Sequence, residues 1–406
     1  TFTYTTVGEI VAWVIGWDLI LEMLMAGSVV SKYWGVYLNQ FFELIGWNIN
    51  TNIAIGSFNF DLAPVIIVAF FTALLVMGTK IGARVDGALT ILKIAIVVFI
   101  VVVGFFYIKA ENFTPFIPPS EPAASTDGSG VSAVMEQPLW QWATGMAPSI
   151  YGVTGIISGA ALVFFAFLGF DVVATASEET INPKKNVPLG IGVGLGLIIV
   201  LYTLVAIVTT GMVSYKDLAK QSDPSLAVAF KMVGADWAAK IISLGIVIGM
   251  ATVVMVLLLG LTRVVFAMSR DGLLPRGLSH TGKHGTPVRL QIIVGVVMAL
   301  IAACCNVGIL SDMVNIGTLS AFTLVAISIP IMRKKRPDLE RSFKIPGNPW
   351  VPILIALANL WLMVNLSVLT WIRFVVWLIV GFAIYFGYGY RHARLGAGEL
   401  EVAAQE

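Results

Sequence analysis

The run Phe164-Phe165-Ala166-Phe167-Leu168-Gly169-Phe170-Asp171 places aromatic rings, a glycine and a carboxylate deep inside an apolar stretch. An ionisable group at bilayer depth is costly unless it meets protein, water or a ligand, so it marks a functional site by default. Counted from residue 152, Asp171 lies roughly 19 residues, or about 28 Å of helical rise, from one end of its span. Glycine weakens a helix. A break at Leu168-Gly169 would free the carbonyls of Phe165 and Leu168 from their i+4 partners, and free carbonyls bind cations such as a substrate ammonium. Phe165 could then close over a ligand as a lid. The plainer alternative is an unbroken helix with Asp171 bonded to a neighbour.

Three further groups could carry chemistry. Lys93 sits about nine residues, or 13 Å, in from Arg84, too deep for its stem to reach the interface. Burial eases loss of its proton, so it could shuttle a coupling proton, or it could tie two helices together as a fixed charge. Asp18 and Glu22 are four apart and share a helical face. Glu22 either lines a cavity or is a protonated acid bonded within the core, whereas Glu9 reads as an exposed acid at the membrane edge. Met255, like Met250, is core packing or a limit on side-chain size in a cavity. Arg270 could pair with Glu178 or Glu179 as a gate, or all three could be solvated charges.

These residues need membrane helices to position them. The chain has 406 residues, 58% hydrophobic and 12% charged, with a mean hydropathy of +0.91. Soluble domains carry roughly 25% charge, so the bilayer is the expected solvent. Apolar length predicts about ten spans: residues 9–37, 63–79, 84–108, 152–177, 187–213, 237–269, 290–307, 313–332, 351–369 and 373–390. The first and sixth exceed about 20 residues and should tilt or project.

Alternate loops concentrate Lys and Arg: Lys80 and Arg84, Lys184 and Lys185, Arg270 to Arg289, Arg333 to Lys344, and Arg391 with Arg394. The intervening loops are poor in base, and the longest, residues 109–148, is acidic. The positive-inside rule makes the first set cytoplasmic, with both termini inside. Residues 115–130 read as flexible external surface. Residues 1–395 read as one transmembrane domain and 396–406 as a polar cytoplasmic tail. The chain begins at Thr1, and the natural N-terminus is expected upstream.

Several classes are disfavoured. The net charge of +2 and the lack of RNP-like or finger-like spacing argue against nucleic acid. Cys304 and Cys305 are adjacent, with no metal or disulfide spacing. His280, His284 and His392 fall in loop or tail positions, so no intramembrane catalytic constellation forms. No filter-like motif points to a channel. No cofactor or metal is expected.

Five strings together resemble the amino acid–polyamine–organocation superfamily, and within it the cationic amino acid transporter family. They are Gly16-Trp17-Asp18-Leu19-Ile20-Leu21-Glu22, the Phe164–Asp171 run, Glu178-Glu179-Thr180-Ile181-Asn182-Pro183, Ala267-Met268-Ser269-Arg270-Asp271-Gly272-Leu273-Leu274-Pro275, and Phe343-Lys344-Ile345-Pro346-Gly347-Asn348-Pro349-Trp350-Val351-Pro352. They cover essentially the whole chain in order. The resemblance implies an all-α, LeuT-type fold with inverted repeats, the ten spans matching helices three to twelve and the first two being absent. It implies that Phe165 is the aromatic gate, that Ala166, Leu168, Gly169 and Asp171 surround an unwound substrate site, and that Glu22 and Met255 line it. Lys93 falls where sodium-coupled relatives bind their ion.

The expected function is secondary active transport of an amino acid in a bacterial inner membrane, coupled to protons and working by alternating access. An exchanger of the same fold without net proton coupling is the alternative. Cationic and neutral substrates both stay open.

Overall fold

Lipid offers no partner for a bare N–H or C=O, so a chain this apolar must close its backbone hydrogen bonds within helices. The computed structural model describes residues 9–47, 49, 51–55, 58–78, 83–122, 133–147, 149–170, 180–221, 223–280, 286–335, 337, 345 and 347–392. Among these, every expected span contains a helix: α1 (Glu9–Leu44), α2 (Leu62–Val76), α3 (Ala83–Phe105), α4 (Gly152–Val163) and α5 (Pro183–Met212). They continue as α6 (Asp236–Arg270), α7 (Val288–Cys304), α8 (Val307–Lys335), α9 (Trp350–Val364) and α10 (Val368–Ile384). Among the described residues, six helical segments are long and apolar enough to cross a membrane, those built on α1, α3, α5, α6, α8 and α10.

Local chemistry sets boundaries that hydropathy misjudges. Residues 306 and 307 do not belong to one span: the Asn306 side chain accepts from the Gly308 amide at 3.0 Å and starts α8 there. The ninth expected span runs too far because Ser367 caps α10, accepting from the Thr370 amide at 3.2 Å. Both are side-chain caps for orphan helical donors.

The centre of the bundle is α1, which packs against α6, α8, α7, α2 and α10. Small residues let these helices close on one another. A Cβ on Gly317 of α8 would lie 3.1 Å from Leu21 of α1. An aromatic ladder locks α1 to α10: Trp13 stacks on Trp17 with ring centres 5.7 Å apart, and Trp17 on Trp377 at 4.4 Å. The Trp17 indole N–H donates to the Trp377 carbonyl at 2.9 Å. Glu9 is not the exposed acid that its position suggested, because the Tyr385 hydroxyl donates to its Oε1 at 2.8 Å.

The acidic segment after α3 is more structured than its composition suggests. Glu121–Pro122 (β1) pairs antiparallel with Ser149–Ile150 (β2), and a short helix forms at Leu139–Thr144. The Val368 amide donates to the Gln137 carbonyl at 3.1 Å, and the Leu139 amide to the Leu366 carbonyl at 3.0 Å. These bonds pin the segment to the α9–α10 turn. Residues 123–132 lie outside the described residues.

Candidate functional site

Helix α4 ends at Val163 and tightens into a 3₁₀ turn over Phe164–Phe167. Leu168 is extended, with φ −64 and ψ 151. Gly169 has φ +109, a conformation that side chains resist. The break therefore falls at Leu168-Gly169. The carbonyls behave differently from the simple expectation. That of Phe165 is not free, since the Leu168 amide donates to it at 3.2 Å. The Ala166 carbonyl accepts from the Tyr202 hydroxyl of α5 at 2.9 Å. Ala166 itself is exposed and is not part of the cluster that holds Phe165 and Leu168. A tightened turn and a tyrosine from another helix thus satisfy backbone groups that a straight helix would have bonded internally.

Phe165 and Leu168 pack against Ala26 of α1, Leu257 of α6 and Val314 of α8, with Met25, Val30 and Val253 around them. Four helices meet at the break. Glu22 lies one turn before Ala26 and so on the same face of α1; its residue is only 2% exposed. Asp18, a further turn back, is fully buried. Ser320 of α8 is its polar neighbour, without a full hydrogen bond to either carboxylate oxygen among the described residues.

Lys93 reaches the same neighbourhood from α3. Its stem lies over Gly249 of α6, where an added Cβ would meet Lys93 Cγ at 3.3 Å and Cε at 3.8 Å. Gly249 is one turn from Val253, about 6 Å along α6. The lysine therefore sits one helical turn from the break cluster. Met255 is half-buried and packs against the larger core of α1, α2, α6 and α7 instead, so it does not share the Phe165 cluster. Arg270 ends α6 and is largely exposed, its Nε 3.7 Å from Asp271 Oδ1. Asp171, Glu178 and Glu179 lie outside the described residues.

Two groups escaped the sequence reading. Tyr202 holds the Ala166 carbonyl from 36 residues away. Asn315, fully buried, donates from Nδ2 to the Leu162 carbonyl at 3.2 Å and ties α4 to α8 just before the break. A lone asparagine in an apolar span is the signal that could have found the second; nothing local marks the first.

A broken helix packed among other helices, with buried acids and a lysine close by, is the arrangement that solute transporters use for a binding site. The amino acid permease family model matches residues 1–387. The branched-chain amino acid permease BcaP of Bacillus subtilis is 40% identical over 405 residues, covering 97% of this chain and 80% of that protein. The methylthioribose transporter of the same organism is 39% identical, with 97% and 80% covered. A mitochondrial cationic amino acid transporter of Arabidopsis thaliana is 34% identical over 84% of this chain and 52% of its own length. The chain belongs to the amino acid permease family and is a multi-pass membrane transporter.

Proposed function

We propose that this permease carries a neutral aliphatic amino acid together with a proton. The observation that carries the reading is that the α4 break packs near Ala26 and Val253, one helical turn from Glu22 on α1 and one turn from Gly249 on α6, over which the Lys93 stem lies. Phe165 and Leu168 line the substrate position, and Gly169 supplies the turn that exposes backbone there. The surrounding Ala26, Val253, Leu257 and Val314 side chains are apolar, which suits an aliphatic substrate side chain and disfavours a guanidinium left unpaired among them.

In this reading Lys93 releases its proton when the bundle opens inward and regains it outside, so the gradient drives accumulation. The α4 segment rocks against the α1–α6–α8 scaffold, with Phe165 closing above the substrate. Both termini face the cytoplasm of a bacterial cell. The name of the Bacillus subtilis branched-chain permease, 40% identical to this chain, supports the aliphatic assignment.

The test is uptake of radiolabelled leucine into proteoliposomes under an inward proton gradient, for wild type and Lys93→Ala, with arginine and leucine as competitors. Accumulation that Lys93→Ala abolishes while leucine–leucine exchange survives is the expected result. Exchange that ignores the gradient in both proteins would make this an exchanger. The packing of the Lys93 stem on Gly249 favours that second reading to the extent that the lysine is a strut.

A further inference from the structure

A cavity of about 760 Å³ opens at the end of the bundle opposite the Lys- and Arg-rich loops. That is within the range of roughly 300–1,000 Å³ typical of small-molecule sites. It lies beyond the substrate position, and Leu162, about two turns before the break, forms part of its wall. Asn315, which holds the Leu162 carbonyl, stands one turn below Asp312 on α8.

The buried lining atoms that lack a partner among the described residues are acceptors, the side-chain oxygens of Gln137 and Asn365. The serine and tyrosine hydroxyls of the lining can donate as well as accept. Asp312 lines the cavity; the Thr370 hydroxyl donates to Oδ2 at 3.0 Å. The Asp312 residue is half-buried, so its carboxylate stays within reach of a ligand in the cavity. Gln137 and Asn365 also line the cavity; they are 7% and 3% exposed. Neither side-chain oxygen has a hydrogen-bond donor among the described residues. The Asn365 amide is oriented by its Nδ2, which donates to the Trp361 carbonyl at 2.7 Å, so the oxygen is left over. Tyr151 and Tyr215, edge to face with ring centres 5.4 Å apart, form an aromatic wall. Glu136 adds a second carboxylate to the lining.

Basic groups do not cancel this bias. Lys216, which sits 5.4 Å from the centre of the Tyr151 ring, is paired with Glu121 at 2.7 Å. Arg373 acts on Asp312 electrostatically but does not line the cavity. Buried acceptors without donors are costly. A ligand that brings several N–H donors and a positive charge satisfies them; an anion or an apolar molecule does not.

We propose that this cavity is a second binding site, in which Asp312, Gln137 and Asn365 receive the primary ammonium group of an incoming amino acid before it reaches the broken helix. The identity of the ligand rests on the transport reading; the acceptor geometry does not. The site collects substrate on the acidic side of the bundle and orients it amine first, close to Leu162 and the break.

The experiment places a reporter thiol in the cavity wall, Ser158→Cys, with Cys304→Ser and Cys305→Ser removing the native thiols. The rate of methanethiosulfonate labelling is measured in proteoliposomes against leucine, isoamylamine (leucine without its carboxylate), isocaproate (leucine without its amine) and sodium chloride. Leucine and isoamylamine should slow labelling, and isocaproate and sodium should not. Adding Asp312→Asn should raise the half-protecting concentration at least about tenfold, as loss of a charge-assisted hydrogen bond does; Asp312→Glu should restore protection. Equal protection by sodium or isocaproate, no protection by either amine, or protection indifferent to Asp312→Asn would each overturn the proposal. If the Asp312→Asn protein fails to fold, the ligand panel on the reporter protein alone decides. Leucine uptake in the same vesicles keeps the two readings apart: uptake without protection defeats only the second site, and protection without uptake defeats only transport.

Discussion

Two glycines on one face of α6 make opposed predictions for the same substitution. Gly245 and Gly249 are four residues apart and both meet α3. A methyl added at Gly249 would lie 3.3 Å from Lys93 Cγ, a few tenths of an ångström inside ordinary contact. The lysine stem is unbranched and can shift by that much. Replacing an interior helical glycine by alanine gains about 1 kcal/mol of helix propensity. Gly249→Ala should therefore be neutral or slightly stabilising. At Gly245 the added methyl would stand 2.6 Å from Ile96 Cγ1. That atom is on a β-branched side chain with little torsional freedom, and overpacking of this kind costs about 1–3 kcal/mol. Gly245→Ala should lose stability, by up to about 2 kcal/mol after the propensity gain. Function should divide the other way. Displacing Lys93 should blunt proton-driven accumulation in Gly249→Ala, whereas surviving Gly245→Ala protein should keep its proton dependence. Thermal unfolding in detergent and gradient-driven leucine uptake read the two effects separately. A Gly249→Ala protein less stable than Gly245→Ala, or one with unchanged proton dependence beside a Gly245→Ala protein that loses it, would refute the packing argument.

Asn315→Leu removes the bond to the Leu162 carbonyl and should lower unfolding free energy by about 0.5–2 kcal/mol, measurable as a lower unfolding temperature; no change would mean the α4–α8 tie carries no energy. Tyr202→Phe frees the Ala166 carbonyl at the break and should reduce uptake more than it reduces stability, because the exposed hydroxyl contributes little to packing; a loss of stability with full uptake in the surviving protein would contradict this. The Glu121 carboxylate, by its hydrogen bond, raises the Lys216 pKa above the ordinary lysine value. A raised folded-state pKa means that whatever this exposed pair contributes is present below the unfolded lysine pKa and is lost as pH rises through the folded one. Melting curves of wild type and Lys216→Ala should thus differ slightly at neutral pH and converge only in strongly alkaline buffer; divergence on raising the pH would reverse the sign.

Much of the architecture is legible because the bilayer makes a local demand. A stretch of apolar residues long enough to span must become a helix, whatever it packs against, and each of the ten expected spans contains one. The break was legible too, since Gly169 announces it without knowledge of any partner. Helix ends were less so: Asn306 and Ser367 look like any polar residue in a loop until their side chains are seen to hold an amide.

Hydropathy and residue chemistry along the chain set the helices, the place of the interruption and the acids and lysine within apolar stretches. These follow from hydrophobicity, glycine chemistry and the cost of burying charge, which act within a few residues. Only the tertiary structure decided which of those groups meet. It placed Lys93 over Gly249, one turn from Val253 and the break, and it sent Met255 into a different core. It gave the Ala166 carbonyl to Tyr202 and folded the acidic segment at Gln137 against Asp312 and Asn365 to enclose a cavity. Those contacts join residues as much as 228 apart in the chain (Gln137 to Asn365), and helix periodicity records which face a residue occupies but not which other helix will cover it.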